Sequence, residues 1–189
     1  MDSKKIIVGI DEVGRGCLAG PLVAAAVILE KPIDGVIDSK LISKSNREKL
    51  ASIIKNDSLA YGIGWTEIDD INKHGLTYAV SHAMQMALSK IDHSYDEVII
   101  DGNYNYLPHT TNVTIIIKAD LICPSVSAAS IIAKVYRDEW MAKLAEKYPQ
   151  YGFEKHVGYG TKNHLEMLDK FGPTDQHRMF YRPLLKFAT

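Results

Sequence analysis

From the N-terminus, the chain alternates short apolar runs with longer segments of helical periodicity. Lys5–Ile10 is an apolar run that closes on Gly-Ile-Asp-Glu and reads as a buried strand. A turn through Gly14-Arg15-Gly16 leads into a second run of the same kind, Leu22–Leu29. Ser43–Lys55 has Leu50, Ile53 and Ile54 on one face and a serine placed to cap it, which predicts a helix. Leu59–Trp65 reads as a third strand. Leu76–Ile91 carries Ala79, Ala83, Met86 and Ala87 at helical spacing. Glu97–Asp101 and Val113–Lys118 read as two further strands. A long helix then opens at Ser125 or Ser127 and stops at Pro149, and Thr161–Phe171 is a last helix ending before Gly172-Pro173.

The predicted order, β-β-α-β-α-β-β-α-α, is that of an α/β protein: early strands that can pair as hairpins, then strands alternating with helices, hence a mixed sheet covered by helices. At 189 residues and 46% hydrophobic content, one domain spanning 1–189 accounts for the whole chain. No apolar run reaches the roughly 18 residues of a membrane span, and the N-terminus lacks the pattern of a signal peptide. A cytoplasmic monomer is the expectation. The net charge of −1 is unevenly spread. Residues 134–189 hold ten Lys/Arg against seven Asp/Glu, and residues 1–133 hold twelve against sixteen. The C-terminal part is thus suited to meeting phosphates and the remainder to holding cations.

Acidic residues follow three of the apolar runs: Asp11 and Glu12 after the first, Asp101 at the end of Glu97–Asp101, and Asp120 just beyond Val113–Lys118. Acids often end strands because loops are wet, so each position alone is ambiguous. If the strands are neighbours, however, the four carboxylates converge and repel one another unless cations neutralise them. Oxygen ligands suit Mg²⁺ or Mn²⁺. Adjacent strand residues point to opposite faces, so Asp11 and Glu12 share a site only if the backbone bends there. Gly14 and Gly16 supply that freedom, and Arg15 adds a phosphate partner; the bland alternative is an ordinary hairpin turn. Convergence would also bring Cys17 near Cys123, close enough to consider a bridge. Otherwise the two cysteines, which form no CxxC pair, read as reduced thiols.

Taken together these stretches resemble the ribonuclease HII family. GIDEVGRGCLAGPLVAAAVIL at residues 9–29 is similar to that family's opening signature. DSK at Asp38–Lys40, IIDGN at Ile99–Asn103, KAD at Lys118–Asp120, SAASIIAKVYRD at Ser127–Asp138, YPQYGFEKHVGYGTKNH at Tyr148–His164 and GPTDQHRMFYRP near the end follow in the family's order. The resemblance implies a ribonuclease H-like fold, a mixed five-stranded sheet flanked by helices, with a C-terminal helical part, about 150–189, that contacts substrate. It implies metal-binding catalytic carboxylates at Asp11, Glu12, Asp101 and Asp120. It also implies a Gly14-Arg15-Gly16 turn that reads a ribose 2′-hydroxyl, a phosphate contact from Lys40, and a junction-sensing tyrosine at Tyr159. The implied activity is hydrolysis of the RNA strand of RNA–DNA hybrids and nicking of DNA 5′ to embedded ribonucleotides, with Mn²⁺ or Mg²⁺, leaving 3′-hydroxyl and 5′-phosphate ends. Cys17 stands where relatives often have Pro, and Asp120 lies in KAD rather than the frequent KGD. The lack of an added N-terminal substrate-binding domain points away from ribonuclease HIII.

Other residues have plainer readings. Arg137-Asp138, deep in the long helix, reads as structural. His156, His164 and His177 fit no zinc spacing and are expected to be solvated or phosphate-facing. Phe180 is expected in the core, and Gln176–Pro183 falls short of a sliding-clamp motif. Two other functions remain open at this point: a nuclease or recombinase acting on all-DNA junctions with the same acids, and a hybrid-binding protein that does not cut.

Overall fold

The computed structural model describes residues 5–36 and 42–187. Five strands, β1 (Ile7–Val13), β2 (Leu22–Ile28), β3 (Ala60–Thr66), β4 (Glu97–Asp101) and β5 (Val113–Ile116), form one sheet in the order β3-β2-β1-β4-β5. β1, β2 and β3 pair antiparallel, whereas β4 and β5 join β1's side in parallel. The helices are α1 (Lys44–Asp57), α2 (Ile68–Leu88), α3 (Pro124–Lys147), α4 (Phe153–His156) and α5 (Lys162–Phe171). This is the expected α/β architecture, a mixed five-stranded sheet flanked by helices with a helical C-terminal part. No described helix is long and apolar enough to cross a membrane.

Side-chain alternation sorts the two faces of the sheet. Val8 and Ile10 of β1, Leu22, Ala24, Ala26 and Ile28 of β2, and Val98 and Ile100 of β4 pack on α2. The intervening residues Val23, Ala25 and Val27 pack on α1 and α3. β2 is buried along its whole length, as its unbroken apolar sequence requires. α3 lies unusually close to β1: a Cβ on Gly9 would stand 2.2 Å from the Ser125 carbonyl carbon and the Val126 nitrogen. Backbone here touches backbone, and no other residue fits.

Two boundaries differ from the sequence expectation in ways that matter. β1 runs on through Asp11, Glu12 and Val13, which pair with Ala25, Ala24 and Val23. The acids therefore lie within the strand and not beyond it, because the edge of a neighbouring strand, invisible in local sequence, continues to supply hydrogen bonds. α2 begins eight residues earlier than its apolar pattern suggests. Its first turns are joined to the rest across a kink at Gly75 (φ 82°, ψ 176°), and Asp69, Asp70 and Asn72 mask the periodicity there.

The C-terminal part has its own core. Leu18, Ala19, Met141, Tyr151, Phe153, Leu168 and Leu184 cluster with the end of α3. His156, His164 and His177 are buried in it, contrary to the solvated or phosphate-facing roles their sequence suggests. Their hydrogen bonds assign the tautomers. His177 Nδ1 accepts from the Thr174 N–H (2.9 Å) and its Nε2–H faces His164 Nε2 (3.1 Å), while His164 Nδ1–H donates to the Tyr159 carbonyl (2.9 Å). His156 Nε2–H donates to Tyr151 O (2.8 Å), and its ring stacks on His164 with centroids 4.5 Å apart. Phe180, expected in the core, is 41% exposed, because the inward positions of its segment are taken by His177 and Arg178, both fully buried.

Burial lowers both His164 and His177 to about 4, with His156 adding to the effect on His164 and His164 to that on His177. Folded values below the ordinary 6.5 mean that the unfolded chain takes up protons first as pH falls. The stability present above about pH 6.5 is therefore lost progressively down to about pH 4, on the order of 3 kcal/mol for one such histidine. His177→Gln can keep one acceptor and one donor without titrating. Urea unfolding from pH 7 to pH 4 should show a shallower loss for this variant than for the wild type. Identical slopes would refute the assignment of the buried neutral imidazoles.

Candidate active site

The parallel register of β1 and β4 sets Ile10 beside Ile100, so the next residues, Asp11 and Asp101, stand side by side. Both lie on the sheet face toward α3, since Ile10 and Ile100 occupy the opposite one. The Asp101 carboxylate accepts from the Ala119 N–H (2.8 Å), which anchors it to the segment before α3. Asp11 accepts from the Glu12 N–H (2.8 Å) and is hydrogen-bonded by Ser130 of α3. Glu12, on the alternate face of the strand, still reaches the same space at the strand's end, where its carboxylate pairs with Arg15 Nη1 at 3.3 Å.

A cavity of about 230 Å³ opens here, lined by Asp11, Glu12, the Gly14-Arg15-Gly16 turn, Asp101, Ser130, Lys134 and Tyr159. Burial, then the neighbouring Glu12, push the Asp11 carboxyl up to about 8, with Asp101 contributing and Ser130 opposing. Glu12 is likewise raised by burial, against the pull of Arg15. Carboxyl groups that hold protons this tightly are starved of positive charge. The donor set is all oxygen and fits a hard divalent cation with retained water. Among the described residues no three His, Cys, Asp or Glu side chains are already drawn together tightly enough to enclose an ion, so the arrangement is an open rim and not a closed cage.

Asp120 lines a second, adjoining cavity. It belongs to a short 3₁₀ turn, Ala119–Leu121, is buried, and shares that cavity of about 170 Å³ with Val36, Cys123 and Ser127. Ser127 and Ser130, which mark the two cavities, are one turn apart on α3, about 5 Å along its axis. The structure thus brings Asp11, Glu12 and Asp101 to one cavity and Asp120 to the adjoining one, with Asp101 tied to the neighbour of Asp120 through the Ala119 N–H. Lys40 lies outside the described residues.

Tyr159 sits beside the turn on the cavity wall. Residues Cys17 and Tyr159 pair as an isolated antiparallel bridge, and the Tyr159 ring lies against Gly16, 3.7 Å from where a Cβ would be. Burial and the Cys17 thiol raise its phenol. The flanking glycines serve packing within the protein: a Cβ on Gly158 would meet the Ala19 carbonyl oxygen at 2.3 Å, and one on Gly160 the Leu18 side chain at 3.0 Å. Cys17 and Cys123 are both free. The two are unbridged: Cys17 pairs with Tyr159 beside the turn, whereas Cys123 precedes α3 and lines the cavity of Asp120.

Two buried arginines hold this region: Arg137, whose structural reading the structure bears out, and Arg178, which sequence reasoning missed. Arg137 and Arg178 are wholly buried behind the Gly14–Pro21 segment. Arg137 donates to the carbonyls of Pro21 (2.9 Å), Val157 (2.8 Å) and Ala19 (3.0 Å), and Arg178 to those of Gly14 (2.6 Å), Gly20 (2.7 Å) and Pro21 (3.1 Å). Asp138, next to Arg137, pairs with Lys134 (2.6 Å) and Arg47 (3.5 Å), in keeping with a structural part.

The sequence profile described as ribonuclease HII matches residues 8–188. The chain is 46% identical to ribonuclease HII of Chlamydia caviae, over 95% of this chain and 85% of that protein. It is 45% identical to ribonuclease HII of Thermosynechococcus vestitus, with the same coverage. Among solved structures it superposes on the ribonuclease H2 of Pyrococcus horikoshii OT3 with a TM-score of 0.81 and 28% identity, covering 96% of each chain.

The raised Asp11 value has a consequence for stability. A folded pKa near 8, above the ordinary 3.8, means that the unfolded chain releases this proton first as pH rises. Stability is fully present below about pH 4 and declines toward pH 8. In a chelator-containing buffer at pH 8, Asp11→Asn should therefore melt higher than wild type, by on the order of 10 °C, and the gap should close toward pH 4. Thermal melts at both pH values test this. Equal melting temperatures throughout would mean that Asp11 is not under the strain described.

Proposed function

The chain belongs to the ribonuclease HII family, and from that premise we propose that it hydrolyses the RNA strand of RNA–DNA hybrids and nicks DNA on the 5′ side of an embedded ribonucleotide, leaving 3′-hydroxyl and 5′-phosphate ends. One observation carries this reading: the cavity that gathers Asp11, Glu12 and Asp101 also has the Gly14-Arg15-Gly16 turn and Tyr159 on its walls. Charge-holding groups and sugar-facing groups therefore border a single space.

Asp11, Glu12 and Asp101 would hold a divalent ion, Mn²⁺ or Mg²⁺, with Asp120 as the fourth carboxylate from its adjoining cavity. When bound, such an ion supplies Lewis acidity toward the scissile phosphate and the attacking water. The chain's own residues do the rest. Ser130 and the Glu12 N–H fix the orientation of Asp11. The Ala119 N–H fixes that of Asp101, so both carboxylates are preorganised and lose little freedom when the substrate binds. Arg15, half of whose side chain is exposed, can leave Glu12 for a substrate phosphate, and Lys40 is assigned a second phosphate.

Discrimination falls to Gly14, Arg15, Gly16 and Tyr159. The backbone of the turn offers hydrogen-bonding groups to a 2′-hydroxyl, which is what separates RNA from DNA at one sugar. The Tyr159 ring, 43% exposed beside Gly16, offers a flat apolar surface to the next sugar, where a deoxyribose packs and an added hydroxyl crowds. The C-terminal part, residues 150–189, positions Tyr159 and extends the contact with the duplex. The protein acts in the cytoplasm as a monomer.

Incubation with Mg²⁺ or Mn²⁺ and three duplexes (all DNA, DNA with one ribonucleotide, RNA–DNA hybrid) is the decisive assay. Cutting of the second and third only, with no reaction in chelator, is expected. Cutting of the all-DNA duplex, or binding without cutting, sinks the proposal. Asp11→Asn and Asp101→Asn should lower cutting by several orders of magnitude while the proteins stay folded. Tyr159→Ala should reduce cutting at a single ribonucleotide more than it weakens hybrid binding. An unchanged ratio at full activity would remove Tyr159 from the site.

A further inference from the structure

Arg178 is wholly buried, and every hydrogen bond of its guanidinium goes to the chain segment that forms the turn or to the hydroxyl of Tyr181. Nη1 donates to the carbonyls of Gly14 (2.6 Å) and Arg15 (3.2 Å) and to Tyr181 Oη (3.4 Å). Nε and Nη2 donate to Gly20 O (3.1 and 2.7 Å), and Nη2 also to Pro21 O (3.1 Å). The Tyr181 hydroxyl donates to the Arg15 carbonyl as well. Burying a guanidinium without a carboxylate beside it is expensive. The planar fork repays this in geometry: it ties the start of the 14–21 segment to its end and fixes which way two successive peptides face.

That orientation has a necessary consequence. A trans peptide is planar, with its C=O and N–H pointing in opposite directions. Gly14 C=O turned inward to Arg178 sends Arg15 N–H outward, and Arg15 C=O turned inward sends Gly16 N–H outward. The turn lines the cavity and Arg178 does not, so outward is the cavity side. Among the described residues neither N–H meets an acceptor. Gly14 makes the arrangement possible: its φ is +100°, and a Cβ there would stand 2.5 Å from Arg137 Nε. Two adjacent N–H groups directed at one point form a small concave donor site for an oxygen.

We propose that Arg178 is the positioning residue for ribose recognition: by holding the carbonyls of Gly14 and Arg15 inward, it aims the N–H groups of Arg15 and Gly16 at the 2′-hydroxyl. This rests on the function proposed above. Arg178 touches no substrate itself. Tyr181 is its auxiliary, holding the second of the two carbonyls.

The test separates recognition from general binding. In an Asp101→Asn background, where cutting is not expected, fluorescence anisotropy with Mg²⁺ gives affinities for an all-DNA duplex and for the same duplex with one ribonucleotide. Arg178→Lys keeps the charge and loses the fork. It should cut the preference for the ribonucleotide duplex by about tenfold while all-DNA affinity, set by phosphate contacts, stays within about twofold. A folded Arg178→Lys protein with undiminished preference overturns the proposal. If Arg178→Lys does not fold, Tyr181→Phe decides: removing one hydroxyl from Arg15 O should lower the preference by roughly threefold, and an unchanged preference overturns the proposal. A parent protein with no preference at all would remove the functional reading, and this inference with it. A parent that prefers the ribonucleotide while both folded variants match it would remove this inference alone.

Discussion

α3 and β1 meet backbone to backbone at Gly9, where a single added carbon would lie 2.2 Å from the peptide between Ser125 and Val126. Much of the site's geometry depends on that contact. Val126, Ser130, Ala133 and Arg137 follow one another along the same buried stripe of α3. With the helix held this close to the sheet, Ser130 comes over Asp11, and Arg137, two turns further on, reaches the segment after β1. A larger residue at position 9 would lift the helix from the strand and pull the hydroxyl and the guanidinium away together. The carboxylates and the turn are thereby placed by a single packing distance.

The electrostatics divide across the turn. On its outer side stand Asp11, Glu12 and Asp101, with Glu12 paired to Arg15. On its inner side are two buried guanidiniums whose hydrogen bonds go almost wholly to backbone carbonyls. The backbone between them is polarised accordingly, with carbonyls drawn inward and N–H groups left outward. A loop of glycines would ordinarily be mobile. Here Arg137 and Arg178 together occupy the carbonyls of Gly14, Arg15, Ala19, Gly20 and Pro21, so the freedom that glycine provides is used to reach an unusual conformation and is then removed. The histidine chain does the same for the wall beside it, since His164 holds the Tyr159 carbonyl from inside the C-terminal core.

How legible these parts were depends on how local their causes are. Asp11 and Asp101 could be singled out because an acid at the end of an apolar strand is a local pattern, and parallel register then sets the two side by side. The Gly14-Arg15-Gly16 turn was legible from its glycines, whereas its ribose-reading role and Tyr159 were reached by resemblance to a family. Asp120 was visible as an acid after a strand, but its place in a cavity adjoining the others depends on how the 3₁₀ turn docks on α3. Arg178 and the three histidines carried no local signal for burial. Polar residues in a segment of mixed composition are by default exposed, and what buries them are carbonyls from chain far away in sequence, such as Gly14 against Arg178.

Periodicity over a few turns and short motifs read in order were enough for the strands and long helices, the class of the fold, the family and the residues with chemistry to offer, but not for the four-residue α4. Long-range contacts were needed to show that β1 extends through both acids, that Phe180 is outside and the histidines inside, and that two arginines brace the 14–21 segment from behind. Each of those outcomes turns on a contact between residues distant in sequence, where the nearest carbonyl or the absence of a Cβ at one glycine settles the geometry. Local propensity contains no term for such contacts.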